Sequence, residues 1–115
     1  MDMMYMPDAI DAIIDLMEAD PTKLLHRNAF NITAMSFSPK EIGEEIKKFI
    51  PDFRIKYDID PIRQEIAESW PNCIDATAAK EQWGFKAKYD LSSMTEDMLD
   101  KLSRKLEVEY KPPAA

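Results

Sequence analysis

The sequence predicts an α+β domain that is small and helix-rich, with only a few short strands. Three observations lead there. Five segments carry helix start signals followed by apolar residues at helical spacing. Only two segments, both short, have strand character. And 115 residues allow one domain with a single modest core. Two short strands make a marginal sheet unless helices or another domain cover them, so the chain reads as part of a larger object.

Each element follows from its own residues. Pro7 and Asp8 open the first helix, because proline fits the first helical turn and an acid suits the positive end of the helix dipole. Ile10, Ile13, Ile14 and Met17 follow along one face, expected to be buried, with Asp11, Asp15 and Glu18 opposite; Asp20-Pro21 closes the helix. Ala29 to Ile32 is β-competent. Ser38-Pro39-Lys40-Glu41 combines a capping box with proline at the first helical position, the clearest helix start in the chain. Ile42, Ile46, Phe49 and Ile50 supply its stripe, Glu44 and Lys48 are spaced to pair, and Pro51 ends it. Phe53, Ile55 and Tyr57 then alternate with Arg54 and Lys56, as in a half-buried strand. Pro61 starts a short helix to about Ser69. Asp75 caps the next, Ala76 to Trp83, and Asp90 the last, with Leu91, Met94, Met98, Leu99, Leu102 and Leu106 on one face. The domain is read as residues 1–106, and 107–115, ending Lys111-Pro112-Pro113-Ala114-Ala115, as a flexible tail.

Composition excludes several classes of partner. With 45% hydrophobic and 32% charged residues the chain is globular rather than disordered. A net charge of -7 argues against a nucleic-acid or anionic-membrane surface, which needs clustered Lys and Arg. No apolar run approaches the ~20 residues of a membrane span. Met-rich as it is, the start of the chain carries Asp2 and no basic residue, unlike a secretory signal or an Arg-rich transit peptide. The single cysteine forms no internal disulfide and fits a reducing compartment.

The most informative stretch runs from Asp60 to Phe85 and holds both tryptophans. Trp70 precedes Pro71, which biases it to extended geometry at a helix stop. Trp83 precedes Gly84, where a helix turns back on itself. Two large rings at two chain reversals suit a core corner or a cleft wall. Trp83, on a helix face, is assigned to core packing. Other candidates read as structural: His26 is a lone solvated histidine with no second ligand at metal spacing. Cys73 is expected to be a half-buried packing thiol. Asp58, Asp60, Glu65 and Glu68 form a solvated acidic face. Met1, Met3, Met4 and Met6 fill gaps, at an interdomain contact rather than a ligand pocket.

Read in order, Met4-Tyr5-Met6-Pro7-Asp8-Ala9-Ile10, Phe30-Asn31-Ile32, Met35-Ser36-Phe37-Ser38-Pro39 and Ile50-Pro51-Asp52-Phe53 form a series of motifs. It continues through Arg63-Gln64-Glu65-Ile66-Ala67-Glu68-Ser69-Trp70-Pro71, Ile74-Asp75 and Trp83-Gly84-Phe85. Together they resemble the C-terminal, substrate-side part of NAD-dependent L-threonine 3-dehydrogenases of the extended, epimerase-like short-chain dehydrogenase/reductase type. The resemblance covers roughly residues 3–104, and the Arg-Gln…Ser-Trp-Pro run is its narrowest feature.

The resemblance implies an enzyme that oxidises the threonine side-chain hydroxyl with NAD, giving 2-amino-3-oxobutanoate. In such enzymes a Rossmann domain holds NAD and a Tyr-x-x-x-Lys pair moves the proton. Neither feature stands in this sequence. Tyr5, Tyr57, Tyr89 and Tyr110 are followed four positions later by Ala9, Pro61, Ser93 and Ala114. The two glycines, Gly43 and Gly84, are too far apart for a phosphate loop. The chain is therefore expected to be the substrate-side domain alone, inactive by itself, with no catalytic, cofactor-binding or metal residue of its own. Its partner would be the missing Rossmann domain, its substrate L-threonine, and a homodimer is open. Trp70 is the residue expected to wall the substrate. Arg63 is a second substrate-side candidate, orienting the Trp70 loop through Glu65 or Glu68. Cytoplasm is the expected compartment, with the mitochondrial matrix the eukaryotic alternative. Two further readings stay open: the accessory domain of a nucleotide-sugar epimerase or reductase, and a non-catalytic docking module.

Overall fold

The computed structural model describes residues 1–107. Along them run β1 (Asp2–Met3), α1 (Met6–Glu18), β2 (Met35–Ser36), α2 (Pro39–Phe49), α3 (Pro61–Glu68), α4 (Thr77–Trp83) and α5 (Leu91–Leu106). A single 3-10 turn, Pro21–Lys23, follows α1. The helix-rich α+β reading holds, with all five helices where the start signals put them.

The capping residues act as their chemistry requires. Ser38 accepts the Glu41 backbone N–H while the Glu41 carboxylate accepts from the Ser38 backbone, a complete capping box. Asp90 and Ser93 make the same reciprocal pair at the start of α5. Asp75 accepts the Thr77 amide and hydroxyl ahead of α4. Gly84 ends α4 with φ 75°, a left-handed conformation that favours glycine. That reversal drives Phe85 back into the core beside Ala12 and Ala79, with Met4, Phe30, Ile32, Trp83 and Ala87 packed around them.

The strands are not where alternation put them. Among the described residues the only sheet is the antiparallel pair β1–β2, in register Asp2 to Ser36 and Met3 to Met35. Ala29–Ile32 and Phe53–Tyr57 are unpaired coil. A strand needs a neighbour for its backbone groups, and here neither segment meets one. In the second, Ile55 and Tyr57 are 38% and 50% exposed where a sheet would half-bury them.

The apolar face of α1 is also a correction. Ile10, Ile13, Ile14 and Met17 are 51%, 59%, 47% and 81% exposed, while Asp8 and Ala12 are buried. Asp8 is inward because its carboxylate accepts the backbone N–H groups of Lys88 and Tyr89, each at 3.0 Å. Tyr5 stacks edge-on to Tyr89, centroids 4.9 Å apart, and donates its hydroxyl to Asp97 at 2.7 Å. These contacts fasten α1 to the entry of α5 through its polar edge, which leaves the isoleucine stripe outside. The Glu44–Lys48 pair is likewise replaced: Lys48 meets the buried Glu45 at 2.6 Å, and Glu44 meets Lys40 at 3.8 Å.

The whole is open for its size. The radius of gyration is 17.5 Å, against about 13 Å for a compact chain of this length. Accessible surface is 9253 Å², against roughly 6,500 Å² for a folded monomer of this mass. Of the tail expected from Glu107, residues 108–115 lie outside the described residues.

Candidate substrate-side site

Helix α3 carries Arg63, Trp70 follows two residues past its end, and the helix is exposed except at Ala67. Asp60 caps it, accepting the Ile62 and Arg63 amides at 2.9 and 3.2 Å, with Pro61 in the first turn. Ser69 is the C-cap, the Trp70 amide still reaches the Ala67 carbonyl at 3.3 Å, and Pro71 prevents another turn. Ile59, Ile62, Ile66 and Trp70 follow one another at helical spacing and are all more than half exposed. Nothing in the described residues covers that stripe.

Trp70, 53% exposed, stands at the edge of a 280 Å³ hollow that it lines with Met1, Asp2, Pro71 and Ile74. Ser36 and Thr33 donate their hydroxyls to Asp2 Oδ1, Thr33 at 3.1 Å. The Ser36 hydroxyl also lies 2.8 Å from the Asn72 carbonyl, so it ties β2 to the Trp70 loop. The Ser36 bond first, then those from Thr33 and the Ile74 backbone, hold the Asp2 carboxyl below the usual carboxylate range. Its second oxygen, Oδ2, is shielded from water and meets no side-chain donor.

Arg63 lies elsewhere. It lines a 350 Å³ hollow with Tyr57, Asp58, Asp60 and Gln64, and its Nε is 3.6 Å from Asp60 Oδ2. It stands in the first turn of α3, whereas Trp70 lies beyond the helix's last residue, Glu68. The structure thus places one candidate in the first turn of α3 and the other just past its end, in separate hollows. The expected contact of Arg63 with Glu65 or Glu68 is not made. Glu68 is taken by Gln64 at 2.6 Å, and the capping carboxylate of Asp60 is the nearer partner.

The remaining candidates sort by packing. Trp83 lies against the core, with Phe30 at 5.9 Å and Phe85 at 5.5 Å between centroids. Met3, Met4 and Met6 line a 440 Å³ apolar groove with α2 and α5 residues such as Ile42, Met94 and Met98. It is the roomiest hollow described and nearly without polar groups, so it offers packing rather than chemistry. His26 is exposed and meets Phe30 edge-on. Cys73 is exposed, not half-buried, because its loop is anchored through Ser36 and Asp75 rather than by packing. Asp58, Asp60, Glu65 and Glu68 are exposed, as a solvated face should be. Among the described residues no group of three metal-ligating side chains converges. Gly43 is inside α2 and Gly84 ends α4, so neither glycine opens a helix where a phosphate would sit.

No family model matches the chain. Curated relatives and solved structures do. An uncharacterized epimerase/dehydratase of Staphylococcus saprophyticus is 55% identical over 111 residues, covering 96% of this chain and 35% of the relative. Another, from Staphylococcus aureus, is 57% identical over 105 residues, 91% of this chain and 33% of the relative. The solved L-threonine dehydrogenase of Clostridium difficile shares 66% identity with a TM-score of 0.86, covering 91% of this chain and 33% of that one. The chain matches the C-terminal part of epimerase/dehydratase-like L-threonine dehydrogenases. A GalE-like L-threonine dehydrogenase of Cupriavidus necator agrees, at 50% identity and TM-score 0.82, covering 88% of this chain and 36% of that one. This chain therefore spans about a third of the length of the relatives it matches. No helix of the described residues is long and apolar enough to cross a membrane.

Proposed function

We propose that this chain is the substrate-side domain of an NAD-dependent L-threonine 3-dehydrogenase, which converts L-threonine to 2-amino-3-oxobutanoate, and that it is inactive alone. The observation that carries the reading is Trp70: a half-exposed indole at the mouth of a hollow, just past a helix whose apolar side nothing in the described residues covers. Hydride transfer needs the substrate carbon held at near-attack distance from the nicotinamide, with water kept out. NAD supplies the oxidising chemistry from a separate nucleotide-binding domain. This domain supplies a rigid wall: an indole covers a small amino acid and loses little freedom in doing so. Arg63 is the second substrate-side residue, a cation at the far end of α3.

The curated relatives are named as epimerase/dehydratases, which favours a nucleotide-sugar substrate as the second reading. Its difficulty is charge. Arg63 has Asp58, Asp60, Glu65 and Glu68 exposed around it, and such a surround repels a diphosphate while tolerating the ammonium of an amino acid. The test is a chimera joining this chain to the upstream two thirds of the Clostridium difficile enzyme. NADH formation with L-threonine, absent from the isolated chain, is the expected result. Epimerisation of a UDP-sugar without threonine oxidation would replace this reading by the second, and binding without either activity would leave a docking module.

A further inference from the structure

The segment that carries Trp70 is held by hydrogen bonds rather than by packing. Residues 70–75 are exposed one after another, so no buried side chain fixes where the indole stands. On the helix side the Trp70 amide reaches the Ala67 carbonyl at 3.3 Å, a long bond. On the far side the anchor is Ser36 of β2, whose hydroxyl lies 2.8 Å from the Asn72 carbonyl, 36 residues away in sequence. The same hydroxyl faces the carboxylate of Asp2, its opposite number in the β1–β2 pair. One proton thus serves two acceptors, and they depend on it unequally. Asp2 also accepts from the Thr33 hydroxyl at 3.1 Å and from the Ile74 backbone. The Asn72 carbonyl has Ser36 alone among the described residues. Ser36 itself stands on a fixed frame: Phe37 donates its amide to the Met1 carbonyl at 3.1 Å, and the capping box of α2 begins at Ser38.

We propose that Ser36 is the positioning residue of the Trp70 wall: its hydroxyl pins the Asn72 carbonyl to β2 and so sets where the indole stands over the substrate. This rests on the threonine reading, in which the indole covers the amino acid. Ser36 itself touches no substrate. Pro71 alone separates Trp70 from Asn72, and its ring fixes one of the torsions between them. A displacement at the Asn72 carbonyl therefore reaches the indole with little slack. Placement matters because about 1 Å of error around a reacting group can cost about a hundredfold in rate. A wall set loose still admits threonine but holds it less often in the reactive geometry. Losing the Ser36 hydroxyl should therefore lower kcat more than it raises KM.

The test follows the complete 115-residue chain by NMR relaxation, reading the fast motion of the two indole N–H groups, and then the kinetics of the chimera. Ser36→Ala is expected to loosen the Trp70 indole, while Trp83, packed on the core, stays rigid and reports an intact fold. Ser36→Thr keeps a hydroxyl on β2 and should restore the parent's behaviour. Thr33→Val removes a donor from Asp2 and spares Asn72, so the Trp70 indole should move as in the parent. In the chimera, Ser36→Ala is expected to lower kcat about tenfold with KM within about twofold, and to add nothing to Trp70→Ala. A Trp70 indole as rigid in Ser36→Ala as in the parent, equal loosening by Thr33→Val, or a kinetic loss that adds in full to that of Trp70→Ala overturns the proposal. The two readings fail separately. A threonine-inert chimera removes the substrate and leaves the relaxation data to decide whether Ser36 holds the loop. A threonine-active chimera whose kcat is unchanged by Ser36→Ala keeps the substrate and removes the positioning role.

Discussion

At the scale of single residues, Asp8 shows how far a side chain's job can lie from its sequence signal. Its place in the first turn of α1 satisfies a helix-dipole rule, but its larger role is tertiary. One carboxylate closes two backbone amides eighty residues away. Asp8→Ala leaves both N–H groups without their partner in a part-buried place, and the expected loss is about 1–3 kcal/mol. The urea midpoint should collapse, since that is a large part of the stability of so small a core. Trp70 and Asp2 make the complementary contrast. The place of Trp70 just past a helix end was legible because Pro71 stops the helix there. Asp2 was not, because its meaning depends on β1 pairing with β2 across more than thirty residues, and no local pattern encodes that pairing. Cys73 was misjudged for a similar reason: its exposure follows from how distant hydrogen bonds hold its loop.

At the scale of elements, helices were legible and strands were not. A helix satisfies its backbone from within, so Ser38, Asp60, Asp75 and Asp90 announce it without help. A strand is defined by a neighbour. Ala29–Ile32 and Phe53–Tyr57 have strand composition and no partner among the described residues, in a chain spanning about a third of its relatives. Both segments are expected to pair only once the upstream domain is present. Their amides should exchange quickly in the isolated chain and slow by about a hundredfold or more in the chimera, read by hydrogen exchange. Unchanged exchange would mean they are ordinary loops. The α1 stripe belongs to the same argument. Ile13→Glu with Met17→Glu alters two solvent-facing side chains, at 59% and 81% exposure, so the chain's own thermal midpoint should hardly move. Its capture by a separately produced nucleotide-binding domain should be lost; retained capture would place the docking face elsewhere.

At the scale of the molecule, surplus surface and acid-sensitive caps dominate. The exposed area exceeds that of a compact monomer of this mass by roughly 2,800 Å². The electrostatics add a pH dependence. Hydrogen bonds hold Asp2, Asp20, Glu41, Asp75 and Asp90 below their ordinary values, through Ser36, Thr22, Ser38, Thr77 and Ser93 respectively, and Lys101 does so for Asp97. A carboxyl depressed on folding stabilises above its unfolded value and loses that contribution as pH falls through its folded one. The thermal midpoint is therefore expected to drop below about pH 5, whereas a midpoint that rises on acidification would reverse the sign assigned to these groups. The most direct measurement is steady-state threonine oxidation by the chimera carrying Trp70→Ala, with Trp70→Phe beside it. Because the indole is half exposed, the fold survives its removal. The expected result is a roughly 10–100-fold fall in kcat/KM for the alanine variant, partly restored by phenylalanine, and unchanged kinetics in both would contradict the indole wall.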